Sequence, residues 1–191
     1  MNISRAGHTV HATYISILNN ETKKEMELSA ISKMEPIIKK EFPNDFFFLG
    51  EVCSFSFSIH GTNLYFKQMP LWLIGILYSL ESDMNTVGIG YILNDDAISY
   101  LNDMQKIFRS FRPLMDENVP MPKLEFPLSK KRKSDFLKLL PPELLSLTVR
   151  CENPTKTLDG AFIECNVCVP CKRWIEVKHL ENQNGLGQKI C

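Results

Sequence analysis

The chain has 191 residues, 44% of them hydrophobic and 23% charged, and its 22 basic residues balance 22 acidic ones. That size and composition build a real core, while a formal net charge of zero gives no electrostatic argument for nucleic acid or an anionic membrane as partner. The N-terminal residues lack the charged, apolar and small-residue layout of a secretory signal. The longest apolar stretch, Met69 to Leu80, is too short to span a bilayer. Six cysteines in such a chain argue for thiols or metal ligands in a reducing, cytoplasmic setting, not for a disulfide framework.

Thr9 to Leu18 reads as a strand, because β-branched and aromatic residues alternate there. Asn19, Asn20 and Glu21 end it. Met26, Ala30, Met34, Ile37 and Ile38 then recur at helical spacing, so a helix is expected from about Thr22 to Lys40. Pro36 inside it must kink the helix or divide it in two. Asp45 to Val52 is a second strand, and its unbroken Phe46 to Leu49 run suits a strand covered on both faces. Pro70 to Leu80 is an apolar helix with proline in its first turn. Thr86 to Leu93 is a third strand, containing Gly88 and Gly90. Asn94 or Asp95 is placed to cap a helix from about Asp96 to Arg112. Lys123 to Phe126 is a short strand, and Ser129 opens a short basic helix ending at Pro141. Strands alternating with helices predict an α/β fold with a mostly parallel sheet and helices on both faces.

From Cys151 the chain changes character, so the expected organisation is an α/β domain over 1–150 and a cysteine-rich tail over 151–191. Cys165-x2-Cys168-x2-Cys171 brings three thiols into seven residues, and Cys151 can close a tetrahedron. Zinc in structural sites takes four such thiolates with no open position for water. Four cysteines in 21 positions beside proline do not resemble a core face, which is the ordinary place for a buried thiol. An iron–sulfur cluster is the chemical competitor, since three close cysteines and one distant one also suit it. Cys53 and Cys191 read as a buried and a terminal thiol.

Several segments together resemble the 7-cyano-7-deazaguanine synthase family of the adenine-nucleotide α-hydrolase, or ATP pyrophosphatase, superfamily. His8–Ile17 (HTVHATYISI) is similar to that family's second strand. Gly88–Asp95 (GIGYILND) is similar to the strand and acidic turn after the apolar helix, and Leu124–Leu128 (LEFPL) to the approach to the last helix. Leu147–Cys151 (LTVRC) with the later cysteines resembles the terminal zinc site and is the most specific part. The resemblance covers nearly the whole chain. It implies an ATP-dependent ligase that turns a carboxylate, through an amide, into a nitrile in queuosine-type or modified DNA base metabolism. It also implies structural zinc on Cys151, Cys165, Cys168 and Cys171, with ATP and magnesium as further cofactors. Asp95 and Tyr100 match its substrate-binding positions, while the catalytic residues remain unknown. The partners it brings in are a deazaguanine-type small molecule, a second copy of the chain and a separate N-terminal fragment.

The departures concern the nucleotide. The family opens with a strand and a Ser-Gly-Gly-x-Asp-Ser loop whose N–H groups hold the ATP phosphates. Here the first strand is reached by Thr9, and Ser4 to Gly7 lacks the paired glycines and the Asp-Ser. The expectation is an N-terminally incomplete chain, a truncated form or pseudoenzyme that is inactive alone. A non-catalytic zinc-containing binding or regulatory module is the alternative. The family's Pro-Gly-Arg-Asn turn is altered to Gln68-Met-Pro70-Leu-Trp72, and thirteen residues follow the first cysteine, a longer spacing than the family's.

Other residues have plainer readings. Asp95, Asp96 and Asp103 suit acid/base or magnesium chemistry, but negative charge at a helix start is also ordinary capping. His8, His11, His60 and His179 show no paired-ligand spacing. Lys130 to Lys133 reads as a solvated turn.

Overall fold

The structure is a computed structural model that describes residues 7–18, 20–56, 69–80, 84–93 and 95–183. In chain order the elements are β1 (Val10–Leu18), α1 (Glu21–Glu41), β2 (Phe46–Ser56), α2 (Met69–Tyr78), β3 (Thr86–Gly88), α3 (Leu101–Ser110), β4 (Lys123–Glu125), α4 (Lys133–Leu139), α5 (Pro142–Ser146), β5 (Thr155–Lys156), β6 (Phe162–Ile163) and α6 (Val169–Gln183). Short 3-10 turns occupy Asp96–Tyr100 and Arg112–Leu114. No helix among the described residues is long and apolar enough to cross a membrane.

The chain is mixed α/β, built of helices and short paired strands, and is not dominated by a sheet. β1 pairs with β2, β3 with β4, and β5 with β6, each as a two-stranded sheet among the described residues. One mostly parallel sheet joining the first three strands, with helices on both its faces, was expected; the pairing instead separates β1–β2 from β3–β4. The shortness of β3 has a local cause. Gly88 and Gly90 offer no side chains to pack, and glycine weakens a strand. Beyond β3 the backbone bonds singly, Ile89 N–H to Glu125 O at 3.0 Å and Leu93 N–H to Lys131 O at 2.7 Å.

Two compact units divide the chain. One comprises Ala12–Ile17 and Leu49–Arg132. Its core is Ile15, Leu73, Ile76, Met104, Phe108 and Leu124. Met104 and Phe108 lie four apart on α3, the spacing that puts side chains on one helical face, and both are fully buried. β3, α3 and β4 form a strand–helix–strand unit, with β3 and β4 parallel and Val87 opposite Leu124. Gln105 on α3 donates to the Leu124 carbonyl at 2.9 Å and fixes helix to strand. α2 is apolar almost all round, as expected of a buried helix. Its Gly75 lets Ile15 approach so closely that an added Cβ would lie 2.8 Å from Ile15 Cδ1.

The other unit comprises Met1–His11, Leu18–Phe48 and Lys133–Cys191. α1 runs unbroken through Pro36, so of the two expected outcomes the helix is not divided there. Asn20 caps it by accepting from the Lys23 N–H at 3.1 Å. Its end is closed by Phe42, whose N–H reaches Ile38 O at 2.9 Å. The basic helix expected from Ser129 begins later, at Lys133, and Ser129 instead donates to Phe126 O at 2.8 Å. β5 and β6 form an antiparallel hairpin with Thr155 opposite Ile163. Gly160 turns it at φ 84°, a conformation that favours glycine.

Candidate metal centre

The four predicted cysteines meet, their sulfurs all within 4.8 Å of one another. Cys151 lies on the segment between α5 and β5. Cys165 and Cys168 follow β6, and Cys171 sits in the first turn of α6. Asn166 makes the convergence possible. Its φ of 56° is left-handed, where asparagine is among the few tolerated side chains, and it reverses the chain between the two cysteines. Asn166 Nδ2 donates to Glu164 O at 3.2 Å and holds the reversal.

Backbone N–H groups point at the sulfurs. The Cys165 N–H donates to Cys151 Sγ at 3.2 Å, and the Cys168 N–H to Cys165 Sγ at 3.4 Å. Such donors favour the thiolate. The N–H groups of Val167 and Cys168 hold the Cys165 thiol down at about 6. Burial acts the other way on Cys171, pushed up to about 12, and raises Cys151 as well. These two are fully enclosed, while Cys165 and Cys168 are half-buried. A tetrahedron of four thiolates at about 2.3 Å from one ion has edges of about 3.8 Å. The observed spread therefore fits one ion with a small contraction, and four soft donors leave no open position for a reacting ligand.

The surroundings were not read from the sequence. Arg150 precedes Cys151, and Glu164 precedes Cys165. Arg150 Nε donates to Glu164 Oε2 at 3.1 Å, and the guanidinium lies 4.7 Å from the Trp174 ring centre on α6. α1 supplies a second set of ties. Asn20 Nδ2 donates to Glu152 O at 3.0 Å, Lys23 pairs with the Glu152 carboxylate, and Lys156 meets Glu25 at 2.6 Å. The available signal was adjacency, since Arg150, Glu152 and Glu164 each flank a cysteine.

The other sequence candidates fall elsewhere. Asp95 occupies the N-cap position of the 3-10 turn, as expected, but its side chain makes no capping bond; its Oδ2 accepts from the Ile92 N–H at 2.8 Å and so braces the preceding turn. Tyr100 ends that 3-10 turn and is half-buried. Asp103 pairs with Lys106 at 3.2 Å on the exposed face of α3. His11 packs edge-on against Phe47, with ring centres 5.4 Å apart. Cys53 lies half-buried against the core, its thiol raised by burial and by Glu51. Ser4, His60, Gln68, Asn94 and Cys191 lie outside the described residues, as does the side chain of His179. Comparison with protein-family models, curated proteins and solved structures finds no match to this chain.

Proposed function

We propose that the four cysteines form a structural zinc centre in a protein of the 7-cyano-7-deazaguanine synthase kind. The observation that carries this reading is the convergence of Cys151, Cys165, Cys168 and Cys171 within 4.8 Å. An iron–sulfur cluster would set several irons and sulfides between the thiolates and spread them more widely, so the close grouping favours one ion. Zinc is the metal that four-thiolate tetrahedra of this kind ordinarily hold. The cysteine array is also the most specific element of the family resemblance. The Gly88–Asp95 segment, running from the end of β3 toward α3, supports it more weakly, with Asp95 and Tyr100 matching positions that bind the carboxylate substrate in the resembled family.

The family reaction activates that carboxylate with ATP and magnesium and releases pyrophosphate. These 191 residues contain no Ser-Gly-Gly-x-Asp-Ser loop. Without preorganised donors for the phosphates, turnover falls by several orders of magnitude, since removing even one such donor costs about 10²–10³ in rate. The isolated chain is therefore expected to release no pyrophosphate from ATP, 7-carboxy-7-deazaguanine and ammonia. A supplied strand and phosphate loop, fused or separate, is expected to restore release. Family-level turnover by the chain alone contradicts the assignment of the missing loop. The second reading, a non-catalytic zinc-containing binding or regulatory module, needs no nucleotide site and so accords with these 191 residues as they stand. It takes over if neither form turns over while zinc is retained.

A further inference from the structure

We propose that Arg150 is a positioning residue for the metal centre, clasping the three cysteine-bearing segments into a ligand-ready arrangement before the ion arrives. The inference rests on the zinc reading above. Its basis is one guanidinium that engages partners on two other segments. The edge of Arg150 faces Glu164, with Nε at 3.1 Å and Nη2 at 3.0 Å from the same carboxylate oxygen. Its face covers Trp174, 4.7 Å from the ring centre. Arg150 adjoins Cys151, Glu164 adjoins Cys165, and Trp174 lies three residues past Cys171, so each partner reports on a different ligand segment.

The pair is sheltered, with the Arg150 and Glu164 side chains only 24% and 19% exposed. Its geometry is thus held more firmly than that of a solvated surface pair. The edge-and-face arrangement uses the planar, delocalised guanidinium; a lysine ammonium could satisfy the carboxylate or the ring but not both in this way. The thirteen residues between Cys151 and Cys165 must close into a loop before both sulfurs can bind one ion. The clasp closes that loop from its ends, and the β5–β6 hairpin closes it from within. Groups that orient metal ligands from outside the coordination sphere typically change affinity 10–100-fold.

The test compares full-length wild type with Arg150→Met, Arg150→Lys and Glu164→Gln. Ile76→Ala, in the core of the other unit, serves as a destabilised control. Zinc affinity is measured by chelator competition, and the tetrahedral thiolate absorption of the cobalt-loaded protein is recorded. The expected result is affinity about 10–100-fold weaker for both arginine variants, with no rescue by lysine, and altered cobalt bands. Glu164→Gln is expected to fall between them and wild type, and Ile76→Ala to lower the melting temperature without moving affinity. Arginine variants within about twofold of wild type overturn the proposal. If Arg150→Met is insoluble, Glu164→Gln decides alone, and unchanged affinity there overturns it. A wild-type protein that takes up neither zinc nor cobalt defeats the metal reading itself, and is distinguishable because no variant is needed to see it.

Discussion

Cys165 and Cys171 share one cluster but are shifted in opposite directions from the ordinary thiol value, and the cause is their different surroundings. Two N–H groups stabilise the Cys165 thiolate near pH 6, whereas burial keeps Cys171 protonated up to about 12. In metal-free protein the folded-state value of Cys165 lies below its ordinary 9.0. Its contribution to stability is therefore complete above pH 9 and is lost as pH falls through 9 toward 6. Cys171 has the reverse sign, costing stability only as pH rises from 9 toward 12. At neutral pH, alkylation of metal-free protein is expected to label Cys165 first and Cys171 last, because the thiolate is the reactive form. Peptide mass spectrometry reads that order, and equal labelling contradicts the N–H···S account. Gly75 offers a second residue-scale test. Alanine there gains about 1 kcal/mol of helix propensity, but its Cβ meets Ile15 Cδ1, Cγ2 and Cγ1 at 2.8–3.0 Å. Overpacking of this kind costs about 1–3 kcal/mol, and two of the three atoms are γ carbons, which move only if the stiff Ile15 χ1 changes rotamer. Gly75→Ala is expected to lower the denaturation midpoint, and to lower it less in an Ile15→Ala background, where the clashing atoms are gone.

α1 both follows β1 and holds the segment that carries Cys151. Asn20 accepts from Lys23 N–H and donates to Glu152 O, so one amide closes the helix and tethers the cysteine strand. Asn20→Ala is expected to cost about 1–2 kcal/mol, since cap removal alone costs about 0.5–2 and the tether is lost as well. Thermal denaturation measures it, and a loss confined to a few tenths would leave the tether without weight. Pro36, exposed inside α1, lacks the N–H that the helix needs. Pro36→Ala is expected to stabilise α1, by up to about 3 kcal/mol. At this scale the sequence was most readable where periodicity was strong. α1 and α2 fall close to their expected ranges, α1 because apolar residues recur at helical spacing and α2 because it is an apolar run, whereas α3 begins at Leu101, five residues after the expected Asp96, behind a 3-10 turn. The region after Cys151 resisted reading. α6 offers no clear apolar stripe, and β5 and β6 are two residues each, too short to alternate. Asp95 takes the N-cap position that its residue type predicts, yet its carboxylate turns back to Ile92 instead of bonding into the turn, a choice that composition cannot reveal.

At the scale of the whole molecule, long-range pairing was the least legible feature. Residue pattern identified β1, β2 and β3 as strands, by alternation in β1 and by an unbroken apolar run in β2, but could not say that β3 would join β4 and leave β1 with β2. Pairing is decided by side-chain packing between strands, which a single strand's pattern does not contain. The cysteine cluster was legible because thiolate chemistry restricts both ligand type and spacing. The residues bracing it were not, because Arg150, Glu164 and Lys156 are ordinary charged residues until the fold brings their partners near. Because metal binding and folding share free energy, zinc is expected to organise the 133–183 region as well as fill its site. Metal analysis of purified wild-type protein beside Cys168→Ser tests the central claim most directly. About one zinc per wild-type chain is expected, in line with four thiolates around one ion, with loss of both metal and solubility in the variant. Iron with sulfide in the wild type, or metal-free protein that unfolds as cooperatively as the metal-bound form, contradicts it.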